Sequence, residues 1–458
     1  LRSYRIFDNY VPDTVLLNAS NTVWNAIRTN HRCESMPMKT TSFTAHPQTL
    51  ELFGPPGGLA ELLLEAQSIL ELPWKPHKFA ARLESARGFV RVKNASWDQA
   101  CELSARLTCA HDVRLALADA RIRGWNDLEA VLEQLPWNLL LPHGESLELH
   151  TEAGAGVCNH AGKLKRIAEG FLARHGFGVE LGSDRFTRLE LMTHQHTFRV
   201  RLSLGNDALH KRGWRARTGS LATLREDLAC VALRRLAELE PRVQAATDMV
   251  VPFAGSGTLG LEAWHALCGL PPSVWDAERS WQRLLSPSAA TRAWWNNRIT
   301  RAARAARLVP ITLIERDARQ TKELRLNLRH ALAHLERHNV LLPACEILEA
   351  DVFKVPVESI IKRNVLSGRV TLMPLHPPYG LRLARSSDTF ALYDRLGRSV
   401  SEWGRVTQAS GGALIGFCLC PSEALWRVFQ AHLPQARVHT SHVTQGGLDV
   451  RLCAFSFS

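Results

Sequence analysis

Long apolar runs are missing from this chain. None approaches the roughly 20 residues that cross a bilayer as a helix, so no helical membrane span is expected. Paired cysteine motifs are missing too. Ten cysteines are scattered over 458 residues, and the one close pair, Cys418 and Cys420, is not a C-x-x-C. Neither a zinc site nor a disulfide framework is indicated, so no metal is expected and the thiols read as buried, in a reducing compartment. Acidic charge is in deficit: Lys and Arg exceed Asp and Glu to leave a formal charge of +12, and Arg far outnumbers Lys. A basic, Arg-rich chain points to a polyanion partner, because guanidinium groups pair with phosphate and stack on bases. A basic surface with no nucleic-acid role is the plain alternative. Charged residues are 22% and hydrophobic residues 45%, which excludes a disordered chain and allows two or three domains with real cores. An Arg-rich chain starting at Leu1 raises the expectation of a trimmed targeting segment and a mitochondrial matrix location, with cytoplasm and nucleolus as alternatives.

The stretch from Asp248 to Ala263 is the most informative. An apolar run (Met249, Val250, Val251) ends in a small-residue turn (Ala254, Gly255, Ser256, Gly257), and a helix starts at Thr258. A strand, a tight loop and a helix N-terminus in that order leave a ligand crevice at the carboxyl end of a parallel strand. Gly255 and Gly257 read as positions where a Cβ would collide with whatever occupies that crevice.

Residues 1–45 carry no period and read as an extension that packs on a partner or on the body. From Gly57 the pattern sharpens. Leu59, Leu62, Leu63, Ala66 and Ile69 recur at helical spacing, and Pro73 closes that helix. Strands are expected at Phe79–Leu83 and Gly88–Val92, a helix at Trp97–Leu107 with Asn94 or Ser96 as cap, and a strand near Val113–Ala116. That order is an α+β half-domain of ferredoxin-like type. A helix at Trp125–Leu135, a strand at Ser146–His150, a basic helix at His160–Arg174 and a hairpin across Thr187–Leu204 follow. The basic helix and hairpin make a candidate nucleic-acid face, with a solvated helix surface as the equal alternative.

A further helix from about Leu221 leads into the last part. There, strands at Ile311–Ile314, Glu346–Glu349, Val370–Met373 and Gly412–Phe417 alternate with helices, interrupted by a Trp-rich insertion (Trp275, Trp281, Trp294, Trp295). Two final strands, Val438–Val443 and Asp449–Phe457, complete a doubly wound α/β domain.

Gly255-Ser256-Gly257-Thr258-Leu259-Gly260 satisfies G-x-G-x-x-G and by itself raises a nicotinamide-dinucleotide reading. The next acidic strand end, Glu315, lies far beyond the roughly 20-residue spacing of that fingerprint. A second motif, His376-Pro377-Pro378-Tyr379-Gly380, follows the strand at Val370–Met373. Rigid prolines fix backbone carbonyls that accept from an exocyclic amine, and an aromatic face stacks on an extracted base. Taken alone, Pro-Pro-Tyr-Gly is only a turn.

Together these motifs resemble the S-adenosylmethionine-dependent RNA guanine-N2 methyltransferases that carry an N-terminal THUMP domain, above all the bacterial large-subunit rRNA enzymes. The likeness runs over about residues 50–458. It includes Leu209-His210-Lys211-Arg212-Gly213-Trp214 with Leu224-Arg225-Glu226, similar to the joint between RNA-binding and catalytic parts, and Gly446-Gly447-Leu448-Asp449, similar to the final turn. The resemblance implies an extension (1–45), a ferredoxin-like plus THUMP RNA-binding region (50–205), and a Rossmann-like class I methyltransferase domain with an antiparallel terminal strand (206–458).

It further implies that Pro252, Phe253, Ala254, Gly255, Ser256, Gly257 and Thr258 surround the methionine part of S-adenosylmethionine. Glu315 would bond the ribose hydroxyls, Asp351 would stand near the adenine amine, and His376, Pro377, Pro378 and Tyr379 would clamp a guanine of rRNA. Two positions depart from the family. Val251 stands where the glycine loop has an acid before Pro-Phe, and His376 stands where the clamp begins with Asn or Asp. They set a second expectation: a catalytically degenerate homologue serving as an RNA-binding assembly factor of the (mito)ribosome, with protein partners through residues 1–45.

Overall fold

The structure is a computed structural model that describes residues 47–71, 80–180, 187–205, 208–215, 224–272, 283–285, 289, 293, 297, 307–337, 344–361, 368–379, 386–445 and 448–458. The extension at 1–45, Phe79, the tryptophans Trp275, Trp281, Trp294 and Trp295, Gly380, and Gly446 and Gly447 lie outside the described residues.

A strand stands before the point where sequence periodicity begins. In β1 (Gln48–Phe53), Leu50 and Leu52 are fully buried on one side. Glu51, on the other side, accepts from Arg201 Nε and Nη2 at 2.8 and 2.9 Å. Then come α1 (Leu59–Leu70), β2 (Arg82–Ala86), β3 (Phe89–Ala95), α2 (Trp97–Arg106) and β4 (Asp112–Arg121). Helix α2 starts where its sequence allows. Ser96 and Gln99 form a reciprocal capping box, and Asn94 is not the cap but a left-handed residue at φ 58°.

The helix expected at Trp125–Leu135 is α3 (Asn126–Glu133), and a separate short helix, α4 (Trp137–Leu140), follows Pro136. Beyond it lie β5 (Ser146–Gly156), α5 (Ala161–Arg174), β6 (Gly178–Glu180), β7 (Thr187–Gln195) and β8 (Thr197–Ser203). All eight strands join one sheet in the order β2-β3-β1-β4-β8-β7-β5-β6. Strands β4 and β5 run well past the expected Val113–Ala116 and Ser146–His150, because their pairing with β8 and β7 continues to Arg121 and Gly156.

The second sheet holds β9 (Asp248–Pro252), β10 (Ile311–Glu315), β11 (Cys345–Glu349), β12 (Val370–Leu375), β13 (Ala413–Cys420), β14 (Arg437–Gln445) and β15 (Leu448–Phe457), in the order β11-β10-β9-β12-β13-β15-β14. The first five strands are parallel, and β15 runs antiparallel between β13 and β14. Chain order therefore grows one way from β9 to β11 and the other way from β12 to β13. The reversal between β9 and β12 is a topological switch point, where open α/β sheets bind ligands beyond the carboxyl ends of their strands. Each face has its own core. Met249, Val251, Ile311 and Leu313 belong to one, Val250, Ile314, Leu375 and Cys418 to the other, as a sheet covered on both sides requires.

The helices here are α6 (Glu226–Leu239), α7 (Thr258–Cys268), α8 (Ala318–Arg337), α9 (Val357–Ile361), α10 (Ser386–Ala409) and α11 (Glu423–Gln430). Helix α7 lies across β9, β10 and β12. The two sheets are tied through α1 and α6. Arg234 reaches Glu65 at 2.9 Å and Arg235 reaches Glu61 at 2.6 Å. Burial pushes the Glu65 carboxyl up, but Arg234 and donors from Thr108 and Cys109 outweigh it and hold it below its ordinary value. The described cysteines are free thiols, all but Cys345 buried.

Candidate functional site

The loop after β9 is shaped by left-handed residues: Phe253 at φ 55°, Gly255 at 54° and Gly257 at 98°. A phenylalanine in that region costs about 1–3 kcal/mol, and such strain persists only where the surroundings impose it. The surroundings here are specific. Ala254 N donates to Ile314 O at 3.0 Å, and Gly257 N to Ala254 O at 2.9 Å. Asn327 of α8 donates to Ser256 O at 2.8 Å, and the Phe253 ring meets Phe353 edge-on at 6.0 Å. The loops after β9, β10 and β11 are thereby stapled to one another.

The two glycines differ in what they allow. A Cβ on Gly257 would come within 2.6 Å of Leu324, and one on Gly260 within 2.6 Å of Leu313. At these positions the missing side chain lets α8 and β10 approach α7, so the sequence expectation of a collision with a ligand is corrected for Gly257. A Cβ on Gly255 meets no protein atom within 4 Å. That position faces open space, as a ligand crevice requires.

Glu315 ends β10. One carboxylate oxygen accepts from Gly255 N and the other from Asp317 N, both at 2.9 Å. A carboxylate offers about four lone-pair sites, so each oxygen keeps one for a further donor. Asp351 follows β11 and caps a one-turn 3-10 helix, accepting from Phe353 N at 3.1 Å. Phe353 in turn lies under the Arg395 guanidinium, 4.2 Å away.

The loop His376–Tyr379 leaves β12, which pairs with β9 in parallel at Leu372 and Met249. Gly257 and Tyr379 therefore issue from the same edge of neighbouring strands. From β11 to β12 the edge spans three strand spacings, about 14 Å. His376 and Tyr379 are half-buried and stand edge to face, 5.1 Å between ring centres. Pro377 is buried and Pro378 exposed. Burial, with Cys418 and Cys420 nearby, pushes the Tyr379 phenol well above its ordinary value, so the ring stays neutral and offers a face rather than a base.

The residues singled out from sequence thus share one edge, with two qualifications. The Thr258 hydroxyl is not directed at the crevice alone, because it accepts from Arg215 at 2.6 Å. Val251 is fully buried, with a methyl 3.5 Å from where a Gly260 Cβ would stand, so the place of the family's acid is part of the core. Asp248 sits at the far end of β9, bound to Arg369 and Thr371.

Spacing in the sequence missed Arg215, Asn327 and Phe353, whose contacts with the loop span 43, 71 and 100 positions (353 minus 253). Among the described residues no group of His, Cys, Asp and Glu could hold a metal ion. A cavity of about 480 Å³ lined by Gln67, Leu70, Glu71, Leu83 and Gln99 lies in the eight-stranded half, away from this edge.

Three histidines flank the joint between the halves. Burial pushes His111, His210 and His265 below the ordinary imidazole value of 6.5, His210 to about 4 and His265 to about 3. The unfolded chain binds these protons more readily than the folded one. Stability is therefore full above about pH 6.5 and falls as pH drops through the window toward 3. His265 alone, fully buried, is expected to remove about 2 kcal/mol at pH 5. Denaturant midpoints at pH 7.5 and pH 5 check this, and equal midpoints would contradict it.

Residues 212–415 match the family described as RMKL-like, methyltransferase domain. The ribosomal RNA large subunit methyltransferase K/L of Allochromatium vinosum is 26% identical over 317 residues, covering 64% of this chain and 39% of that protein. The chain thus spans about two fifths of the length of the curated relatives it matches. Among solved structures, SMU.472, a methyltransferase complexed with SAH, superposes with a TM-score of 0.66 at 17% identity, covering 89% of this chain and 98% of that one. TrmN from Thermus thermophilus gives 0.55 at 21%, covering 90% and 100%. These likenesses establish the fold: the seven-stranded sheet is of the class I methyltransferase type.

Proposed function

We propose, from a chain whose residues 212–415 match the RMKL-like methyltransferase domain family, that this protein is an RNA methyltransferase of the large-subunit rRNA type that uses S-adenosylmethionine. The observation that carries this reading is the open space at Gly255 on the switch-point edge, between Glu315 on one side and the His376–Tyr379 loop on the other. The residues present fit the cofactor. Glu315 keeps acceptor capacity for ribose hydroxyls, and Asp351 offers a carboxylate toward an adenine amine.

Bound there, S-adenosylmethionine supplies a methyl group on a sulfonium, a reactive electrophile. The work left to the chain is positioning, which alone accounts for a large share of such a barrier. Tyr379 stacks on an extruded base, Pro377 and Pro378 hold backbone carbonyls in place, and a ring nitrogen of His376 accepts from the exocyclic amine.

The finer reading is guanine N2 as the methylated atom, with residues 50–205 holding the RNA. Exposed Lys163 and Arg166 on α5, with Lys163 over the Trp125 ring at 4.6 Å, support it. The apolar Val251 and the imidazole at 376 favour a second reading, in which the fold binds RNA as an assembly factor without transfer. Titration calorimetry with S-adenosylmethionine separates the two: measurable binding is expected, and none alongside intact RNA association would leave only the assembly factor.

A further inference from the structure

The joint that links the two halves is built into the helix that carries the glycine loop. Arg212, fully buried, donates to Leu209 O and to Thr108 O of the eight-stranded half, both at 2.7 Å, and faces Glu262 of α7 at 3.5 Å. Trp214 Nε1 donates to Glu262 Oε1 at 3.4 Å, and Cys230 of α6 donates to Glu262 Oε2 at 3.1 Å. Arg215 then reaches the first residue of the same helix. Its Nη2 donates to Thr258 Oγ1 at 2.6 Å, and Nη2 and Nε both donate to Glu226 Oε1, at 2.8 and 3.1 Å. Its guanidinium also stands over the Trp214 ring at 5.3 Å.

Thr258 and Glu262 are four apart and so share one face of α7. The joint grips that face while Leu324 and Leu313 pack where Gly257 and Gly260 lack side chains. Gly257, the N-cap, has no side chain to satisfy the first-turn N–H groups. What holds Thr258 therefore helps to set their direction.

We propose that Arg215 is a positioning residue for the cofactor loop: held by Glu226, it fixes Thr258 so that the Gly255–Gly257 turn and the first turn of α7 present their backbone to the crevice. The inference rests on the cofactor site proposed above. It also gives the eight-stranded half a physical route to that site, since Thr108, Arg212 and Glu262 lie in one bonded series with the helix Arg215 anchors.

The test is S-adenosylhomocysteine titration of the full chain, wild type beside Thr258→Val, Thr258→Ser, Arg215→Gln and Arg215→Lys, with thermal melting and RNA binding measured on each. Thr258→Val and Arg215→Gln are expected to weaken binding about tenfold, on the order of one lost charge-assisted hydrogen bond. The double variant should be no worse than either alone, and Thr258→Ser and Arg215→Lys should recover part of the loss, with RNA affinity unchanged. A mere strut would lower melting temperature and leave the affinity of the folded protein at the wild-type level; that result overturns the inference. Thr258→Val keeps the shape of the side chain and Arg215→Lys keeps the charge, so the pair decides the matter even where Arg215→Gln fails to fold. A wild type that binds no S-adenosylhomocysteine removes the cofactor site and this inference together, whereas a binding wild type with equally binding variants removes the inference alone.

Discussion

Tyr379→Ala is expected to slow methyl transfer to RNA by about 100-fold while cofactor affinity stays near that of the wild type. Stacking of a base on an aromatic ring contributes about 1–3 kcal/mol, and misplacing a reacting group by about an ångström costs a comparable factor in rate. Tyr379 leaves the edge next to the glycine loop and packs beside His376, 5.1 Å away. Its phenol is held neutral by burial, so Tyr379→Phe should keep most of the rate and the same pH profile. Single-turnover transfer from labelled cofactor measures both variants, with melting temperature as the control for packing against Cys418 and Cys420. Full activity in Tyr379→Ala would remove the clamp from the account.

The glycine loop carries the second large effect. Gly257→Val places a β-branched side chain at φ 98° with its Cβ 2.6 Å from Leu324. A loss of about 3 kcal/mol in stability is expected from strain and overpacking together, with cofactor binding abolished. Gly255→Ala separates fold from site. Its backbone is at φ 54° and its Cβ meets no protein atom within 4 Å, so stability should fall by only about 1 kcal/mol. The added methyl nevertheless enters the crevice, and cofactor affinity should drop at least about tenfold. Denaturant titration and calorimetry on the same two proteins check the contrast. Unchanged cofactor affinity in Gly255→Ala would mean that the crevice is not where the ligand sits.

Much of the second sheet was legible because its strands are short apolar runs ended by glycine, proline or an acid. Val250, Val251 and Pro252 before Gly255, and Leu372 to Leu375 before Pro377, announce a strand and its loop without knowledge of partners. The parallel order and the edge shared by Gly257 and Tyr379 followed from that alternation.

What stayed hidden depends on contacts distant in sequence. Strand β1 alternates Gln48, Leu50 and Leu52 with Glu51, a pattern too short to stand out, and the buried Glu51 is paired by Arg91 and Arg201, 40 and 150 positions away. Asn94 and Ser96 are both plausible caps by type, and only the capping box with Gln99 decides between them. The two glycines look equivalent in sequence, yet one makes room for Leu324 and the other for open space. No periodicity could have joined Arg215 to Thr258.

The most direct trial of the account is transfer of labelled methyl from S-adenosylmethionine to unmodified large-subunit rRNA by the full chain, followed by digestion to nucleosides. The account predicts label in N2-methylguanosine, lost with Tyr379→Ala. RNA that binds the protein yet stays unlabelled at saturating cofactor would contradict it, and would leave a methyltransferase fold that holds RNA without modifying it.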